Sequence, residues 1–440
     1  MQIISLIQGL WVALIILMFF VKLRTGICLY VAYMILVPYM NINVGINLQW
    51  NMVNTLLFVA YAVSYKKKEK KSFDFKPFIP FLFLFVGQLL EMPFQNGVPM
   101  DFALNSFRLN LMTYLILPFV IWNSAEDAKL CVQLKKTVVV SICIAFGYGL
   151  FLTTIAGQNP YQMLIMAANG EEWNEHYAAV GGGRLFGRIS SVFGHPMTYG
   201  LFLGMSLIYI YTIRDYFNKS IWIILLLGII AAIFLCGIRS PIGAFFVTVL
   251  VFLLLNHKVK LMLQVGMVGV LIYVIISAVP DLNSYVLSIF SDDKSEVAGS
   301  SMEMRINQLQ GCFHEIRNNP LFGKGYGWTA YYEQNFGDHP VMLAFESLVY
   351  VVLCNSGFVG VFIWLVFLGL YINKTKRILK NKNIINLALA LIVYYVAYSM
   401  ITGEYGYMKF LVLFYTFILL EGKQKISNNN SRHENESTLV

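Results

Sequence analysis

The feature that most limits what this chain can become is the recurrence of unbroken apolar runs from end to end, the first of them IISLIQGLWVALIILMFFV. Runs of roughly 17–25 such residues are long enough to cross about 30 Å of hydrocarbon as helix. Of 440 residues, 58% are hydrophobic and only 12% charged, so polar side chains are too scarce to cover a soluble particle of this size. A transmembrane β-barrel would show short alternating segments instead, and these runs are continuous. The expected fold class is an all-α polytopic membrane protein with about 12–14 transmembrane helices. Spans are expected near 3–21, 26–42, 47–64, 77–95, 105–123, 137–156, 196–213, 220–237, 241–255, 261–279, 356–372, 384–402 and 406–420. The first lacks the basic start and small-residue cleavage site of a signal peptide, so it is expected to be retained. Cys28, Cys131, Cys143, Cys236, Cys312 and Cys354 are scattered and imply neither a disulfide framework nor a metal site.

Orientation follows from lysine and arginine, which concentrate in cytoplasmic loops. Placing the run from Lys66 to Lys71 inside also places Lys22, Arg24, Lys129, Lys135, Lys136, Arg214, Lys219, Lys258, Lys260 and the stretch 374–382 inside. The opposite phase would put nearly all of them outside. This reading makes residues 1–422 one integral membrane domain and 423–440 a disordered cytoplasmic tail. It leaves two long segments outside, about 157–194 and 281–342. The apolar stretch 343–355 is too short for a comfortable span and is expected along the interface, with the chain entering the membrane at Gly357.

Few cations fall outside, and most of those are arginine: Arg108, Arg184, Arg188, Arg239, Arg305 and Arg317, beside Lys294, Lys324 and Lys409. A solvated positive face can be made of lysine, whereas the rigid, always-charged guanidinium fork suits bidentate binding of phosphate. The set points to an anionic, phosphate-bearing ligand at the outer face. The bland alternative, pairing with Glu171, Glu172, Glu175, Glu303 or Glu315, accounts more readily for any one arginine than for all of them. Arg239, in the apolar turn CGIRSPIG, needs a partner or a ligand or must anchor a helix end.

Three further residues could handle a proton. His195 in FGHPM and His339 in NFGDHPVML lie where long loops meet apolar helices, and histidine titrates near neutrality. Glu346 in LAFESLVYVV is a carboxylate within an apolar stretch. Each also has an ordinary reading as loop or ion-pair chemistry. The chain carries no Walker loop, dinucleotide-binding glycine motif, His-Glu-x-x-His or acidic metal cluster, so no cofactor, metal or nucleic-acid partner is expected.

Four elements in order resemble a known family. They are Arg188-Ile-Ser-Ser-Val-Phe-Gly-His-Pro; Ile238-Arg239-Ser240-Pro241-Ile242-Gly243; Arg305 heading an amphipathic helix that leads to Pro320-Leu-Phe-Gly-Lys-Gly-Tyr-Gly; and Phe345-Glu346-Ser347-Leu348 followed by Asn355-Ser356-Gly357-Phe358-Val359-Gly360. Together, over about 184–372, they resemble the O-antigen or capsule polymerase and O-antigen ligase superfamily (Wzy and WaaL type). The resemblance implies a GT-C-like membrane glycosyltransferase using metal-independent, inverting transfer on the outer face of the bacterial plasma membrane. Its donor and acceptor would be saccharides linked to undecaprenyl pyrophosphate, with a chain-length regulator as a candidate partner. Arg188, Arg239 and Arg305 would hold the pyrophosphate, Arg184 would assist, and Glu346, His339 or His195 would serve as base. Ligases carry a His-Asn where this chain has Glu346, which favours a polymerase of repeat units for O-antigen or capsule. A ligase remains the alternative, and a lipid-linked saccharide transporter or flippase is the alternative of another class. The stretch GGGRLFGRISSVFGHP is expected to form a mobile edge of the pyrophosphate site.

Overall fold

The computed structural model describes residues 2–37, 41–43, 47–69, 72–125, 127–155, 159–169, 188–277, 302–342, 345–402 and 408–437. Among them, sixteen α-helices account for almost everything, as the continuous apolar runs require. They are α1 (Gln2–Val21), α2 (Leu23–Leu36), α3 (Trp50–Glu69), α4 (Ile79–Glu91), α5 (Met100–Ser124), α6 (Ala128–Leu152), α7 (Pro160–Asn169) and α8 (Pro196–Thr212). After these come α9 (Lys219–Leu235), α10 (Ser240–Leu255), α11 (Val259–Ser277), α12 (Met302–Ile316), α13 (Trp328–Phe336), α14 (Leu348–Ile378), α15 (Lys382–Thr402) and α16 (Met408–Ser437). The exception is a two-residue antiparallel pairing of β1 (Ile42–Asn43) with β2 (Asn47–Leu48). The chain is an all-α polytopic membrane protein. Among the described residues, five segments are long and apolar enough to span a bilayer: Lys76–Phe94, Met100–Ser124, Ala128–Leu152, Leu348–Ile378 and Lys382–Thr402. Five shorter apolar helices accompany them.

Several boundaries depart from the apolar pattern for identifiable reasons. Helix α6 starts well before its apolar run because Asp127 caps it, its carboxylate accepting the Lys129 N–H at 3.0 Å. Prolines at positions 77 and 93 place short 3₁₀ turns at both ends of α4. Helix α16 runs on to Ser437, into the segment expected to be a tail. Within the expected outer loops, α7, α12 and α13 are regular helices. Ten residues of α7 rise only about 15 Å, too little to span.

Between helices in lipid, tail hydrocarbon competes with apolar burial, so close packing and hydrogen bonds carry association. Fully buried tyrosines supply both here. Tyr394 and Tyr398 of α15 donate to Gly200 O (3.0 Å) and Met197 O (2.6 Å) of α8, and Tyr371 of α14 donates to Ala388 O of α15 (3.0 Å). Small residues allow that approach. A Cβ built on Gly204 would stand 2.0 Å from the Tyr394 ring, and one on Gly200 would stand 2.4 Å from Pro241 of α10. The outward faces remain apolar, with Ile224, Leu227, Phe362 and Leu365 all more than 59% exposed, as lipid-facing side chains should be.

The two ends of the bundle differ in charge chemistry. At one end Arg24 pairs with Asp127, Lys135 with Glu421 (2.6 Å) and Lys425 with Asp215 (2.8 Å), while Lys423 lies over the Trp122 ring. The segments carrying Arg24, Lys135, Arg214 and the C-terminal lysines, which the charge pattern assigns to a common side, therefore meet at one end. The other end carries the arginines of the long loops.

Candidate active site at the arginine end

The site is organised by a break in α14. Gly357 has φ 58° and ψ −152°, a conformation essentially restricted to glycine, and it splits the helix into two pieces. Breaking a helix frees backbone groups that lipid cannot satisfy. Here the loop Pro320–Gly325 satisfies them. Phe358 and Val359 N–H donate to Pro320 O (3.0 Å) and Leu321 O (2.9 Å), while Lys324 and Gly325 N–H donate to Cys354 O (2.8 Å) and Asn355 O (3.0 Å). Gln95 completes the junction. Its Nε2 donates to Phe322 O (2.9 Å) and Asn355 O (3.0 Å), and its Oε1 accepts the Tyr326 N–H at 2.9 Å. The two glycine-rich motifs of the sequence are therefore the two halves of one backbone clasp. It fastens the outer helices α12 and α13 to the membrane bundle.

Arg305 projects from α12 held by that clasp. Its guanidinium donates to Ile401 O at 2.9 Å and to Glu346 O at 3.4 Å, and its own carbonyl accepts the Tyr350 hydroxyl at 2.9 Å. Arg305 thus sits where α12, the start of α14 and the end of α15 meet. Arg239 caps the N-terminus of α10, its carbonyl accepting the Ile242 and Gly243 N–H groups at 3.1 Å each. A Cβ built on Gly243 would stand 3.7 Å from Ile401, so the start of α10 adjoins the same end of α15. Arg188 is tied to Arg239's turn through its neighbour, Ile189 N–H donating to Cys236 O at 3.2 Å. The contacts thus bring the backbone segments carrying Arg188, Arg239 and Arg305 into one region, while Arg184 lies outside the described residues.

From Arg188 onward, the segment expected to be a mobile edge is pinned instead. Asn159, just before α7, donates to Ser190 Oγ (2.8 Å) and Ser191 O (2.7 Å). Gln162 donates to Gly194 O (2.8 Å) and accepts from Ser190 Oγ (3.0 Å). Ser191 is held at φ 50°, where a non-glycine residue is strained, and Phe193 is fully buried beneath it. Asn159 and Gln162 escaped the sequence reading. Two amides three residues apart at the start of an apolar helix were the available signal, and both are buried.

The three candidate proton carriers have different surroundings. Glu346 is half-buried, its Oε2 shielded from solvent with no hydrogen-bond partner among the described residues. It follows Phe345, a second strained non-glycine residue at φ 47°. His195 caps α8, its Nδ1 accepting the Met197 N–H at 3.1 Å. Burial and then the Arg188 charge push this imidazole down to about 4, so it is neutral at pH 7. His339 is engaged at Nδ1 and faces a carboxylate at Nε2. Nδ1 accepts the N–H groups of Val341 and Met342 (3.1 Å each), and Nε2 lies 3.7 Å from Glu315. Its ring packs with Trp328, Tyr332 and Phe345, an arrangement that leaves no lone pair for a substrate.

Other outer cations have structural partners, as the bland reading of single residues holds. Lys324 pairs with Glu315 at 2.9 Å, and Arg108 donates to Asn105 at 2.7 Å on an exposed helix face. Burial alone would raise the Glu315 carboxyl, but Lys324, His339 and His314 outweigh it and hold the carboxyl below its ordinary range.

The chain is thus a multi-pass helical bundle in which the segments carrying Arg188, Arg239 and Arg305 adjoin at one end, beside a carboxylate with a shielded oxygen. The family model described as O-antigen ligase (Wzy_C) matches residues 223–365, which contain three of the four motif elements. Over that segment the match supports the superfamily of O-antigen ligases and polymerases, whose members are membrane enzymes of polysaccharide assembly. A comparison with curated proteins finds no match.

Proposed function

We propose that this protein polymerises saccharide repeat units carried on undecaprenyl pyrophosphate, by inverting glycosyl transfer at the outer face of the bacterial plasma membrane. What supports this reading is that the backbone segments carrying Arg188, Arg239 and Arg305 adjoin one another, with the Arg305 guanidinium on the Glu346 carbonyl. In the reaction an acceptor hydroxyl oxygen bonds to the anomeric carbon on the face opposite the leaving group. The anomeric C–O bond breaks and its electron pair leaves on the pyrophosphate. Charge on that group grows toward the transition state, so guanidinium groups already in place stabilise it selectively. The hydroxyl proton passes to Glu346, whose shielded Oε2 is available to accept it. Neutral His195 beside Arg188 is the second candidate, while His339 acts through structure. No step asks for a metal or a cofactor.

The description of the matching family favours a second reading, a ligase that moves the chain to a different acceptor. The products separate the two. Loss of a polymerase leaves single-repeat glycan at the surface, and loss of a ligase leaves long chains on the lipid carrier. A lipid-linked saccharide transporter would leave the substrate chemically unchanged.

The test uses full-length protein in vesicles containing its lipid-linked repeat unit. Arg305→Ala is expected to lower elongation at least about a hundredfold, the scale set by losing one preorganised charge donor. Arg305→Lys should recover only part, because an ammonium cannot reproduce the two diverging bonds to Glu346 and Ile401. Full activity of the alanine variants at 188, 239 and 305 would refute the site.

A further inference from the structure

Beside the arginine region, α4, α5 and both halves of α14 enclose a cavity of about 270 Å³. It starts at Leu348, two residues beyond Glu346, and extends past the helix break to Ile363 and Trp364. On the α15 side it reaches Tyr395, six residues and about 9 Å of helix rise from Ile401, to which Arg305 binds. The cavity therefore begins beside the candidate base and ends about two turns of α15 from the carbonyl that Arg305 binds, yet its chemistry differs from theirs. Among the described residues, none that lines it is charged.

Its walls combine neutral hydrogen-bonding groups with aromatic faces. Gln88, Asn110, Thr329 and Asn355 supply the former, and Tyr114 and Trp364 are among the latter. Thr329 is fully buried, and its Oγ1 has no hydrogen-bond partner among the described residues, although its N–H is held by Asn355 Oδ1 at 3.0 Å. A buried hydroxyl left unsatisfied is costly, which points to a guest that supplies the bond. A prenyl chain would leave the amides and this hydroxyl facing hydrocarbon. A phosphate or carboxylate would find no cation. An uncharged pyranose fits both surfaces, its hydroxyls toward the amides and its C–H face toward the rings.

We infer that this cavity is the acceptor subsite and that it receives an uncharged sugar, presenting that sugar's free hydroxyl toward Glu346. Its role in transfer rests on the glycosyltransferase reading; sugar binding itself does not.

The experiment follows the fluorescence of full-length protein in lipid nanodiscs, with Trp364→Phe as the control that removes the reporter. The titrants are methyl glycosides of glucose, galactose, rhamnose, N-acetylglucosamine and glucuronic acid, and, separately, farnesol. A saturable change with at least one neutral glycoside, absent with the glucuronide and absent in Trp364→Phe, is expected. Thr329→Val should weaken it about tenfold, the equivalent of one hydrogen bond. Gln88→Leu should weaken it similarly without touching the Thr329–Asn355 contact, which guards against a misfolded variant. Arg305→Ala should keep the sugar response, so failure of the transfer chemistry is distinguishable from failure of the subsite. A response to farnesol alone would assign the cavity to a prenyl chain and overturn the inference. Equal binding of the glucuronide, or no response to any neutral glycoside, would overturn it too.

Discussion

Replacing Gly357 by alanine tests the clasp on which the site geometry depends. A Cβ at this position would stand 2.4 Å from Pro320 O, 2.6 Å from Leu321 O and 2.7 Å from Gly323 N, all backbone atoms that no side-chain rotation can clear. The backbone at φ 58°, ψ −152° adds strain of about 1–3 kcal/mol for any residue with a Cβ. Relieving the clash by opening the junction sacrifices the four clasp hydrogen bonds, each worth about 1 kcal/mol net. The cheaper escape decides the outcome, so the expected penalty is about 3–5 kcal/mol, concentrated at the clasp. Hydrogen exchange on the full-length protein in nanodiscs should show faster exchange at residues 320–325 and 354–359, with the α8–α15 packing unaffected. Elongation should fall with it, because α12 and Arg305 lose their mooring. Gly369→Ala is the control: the built Cβ meets nothing within 4 Å there, and an exposed helical site should gain up to about 1 kcal/mol. Native protection at the clasp in Gly357→Ala would refute the reasoning.

Three other outcomes are expected. Asn159→Ala removes two of the four hydrogen bonds by which Asn159 and Gln162 pin the Arg188 segment and should cost about 2–3 kcal/mol in thermal unfolding while lowering elongation; Asn159→Asp, which cannot donate, should behave alike. Because His195 titrates near 4 in the folded protein against about 6.5 unfolded, the unfolded chain binds the extra proton between those values. Stability should therefore be fully present above about pH 6.5 and decline as pH falls toward 4, by at most about 3 kcal/mol, less given partial exposure. His195→Asn, which keeps a capping acceptor, should flatten that acid slope; an unchanged slope would remove His195 as its source. Glu315→Gln breaks the pair with Lys324 and the contact with His339, and should cost about 1–2 kcal/mol while sparing catalysis more than Glu346→Gln does. Comparable loss of turnover in both variants would reinstate the His339 region as catalytic.

The membrane class, the helical architecture and the grouping of the lysine loops at one end were legible in the chain because each depends on local composition. A run of apolar residues must become a helix in hydrocarbon whatever lies beside it. The arginines were likewise legible as a set, since guanidinium groups are scarce in such a sequence and expensive to place near lipid. Tertiary contact alone could distinguish His339, whose Nδ1 accepts two backbone N–H groups beside Glu315, from His195 capping a helix and from Glu346 with a shielded oxygen. Their local sequences are equally suggestive. The clasp needed tertiary contact as well: PLFGKGYG and NSGFVG lie about thirty residues apart, and nothing local says that one satisfies the backbone groups the other exposes. Composition acts at every position independently, whereas a site is made by residues that become neighbours only after the chain has folded.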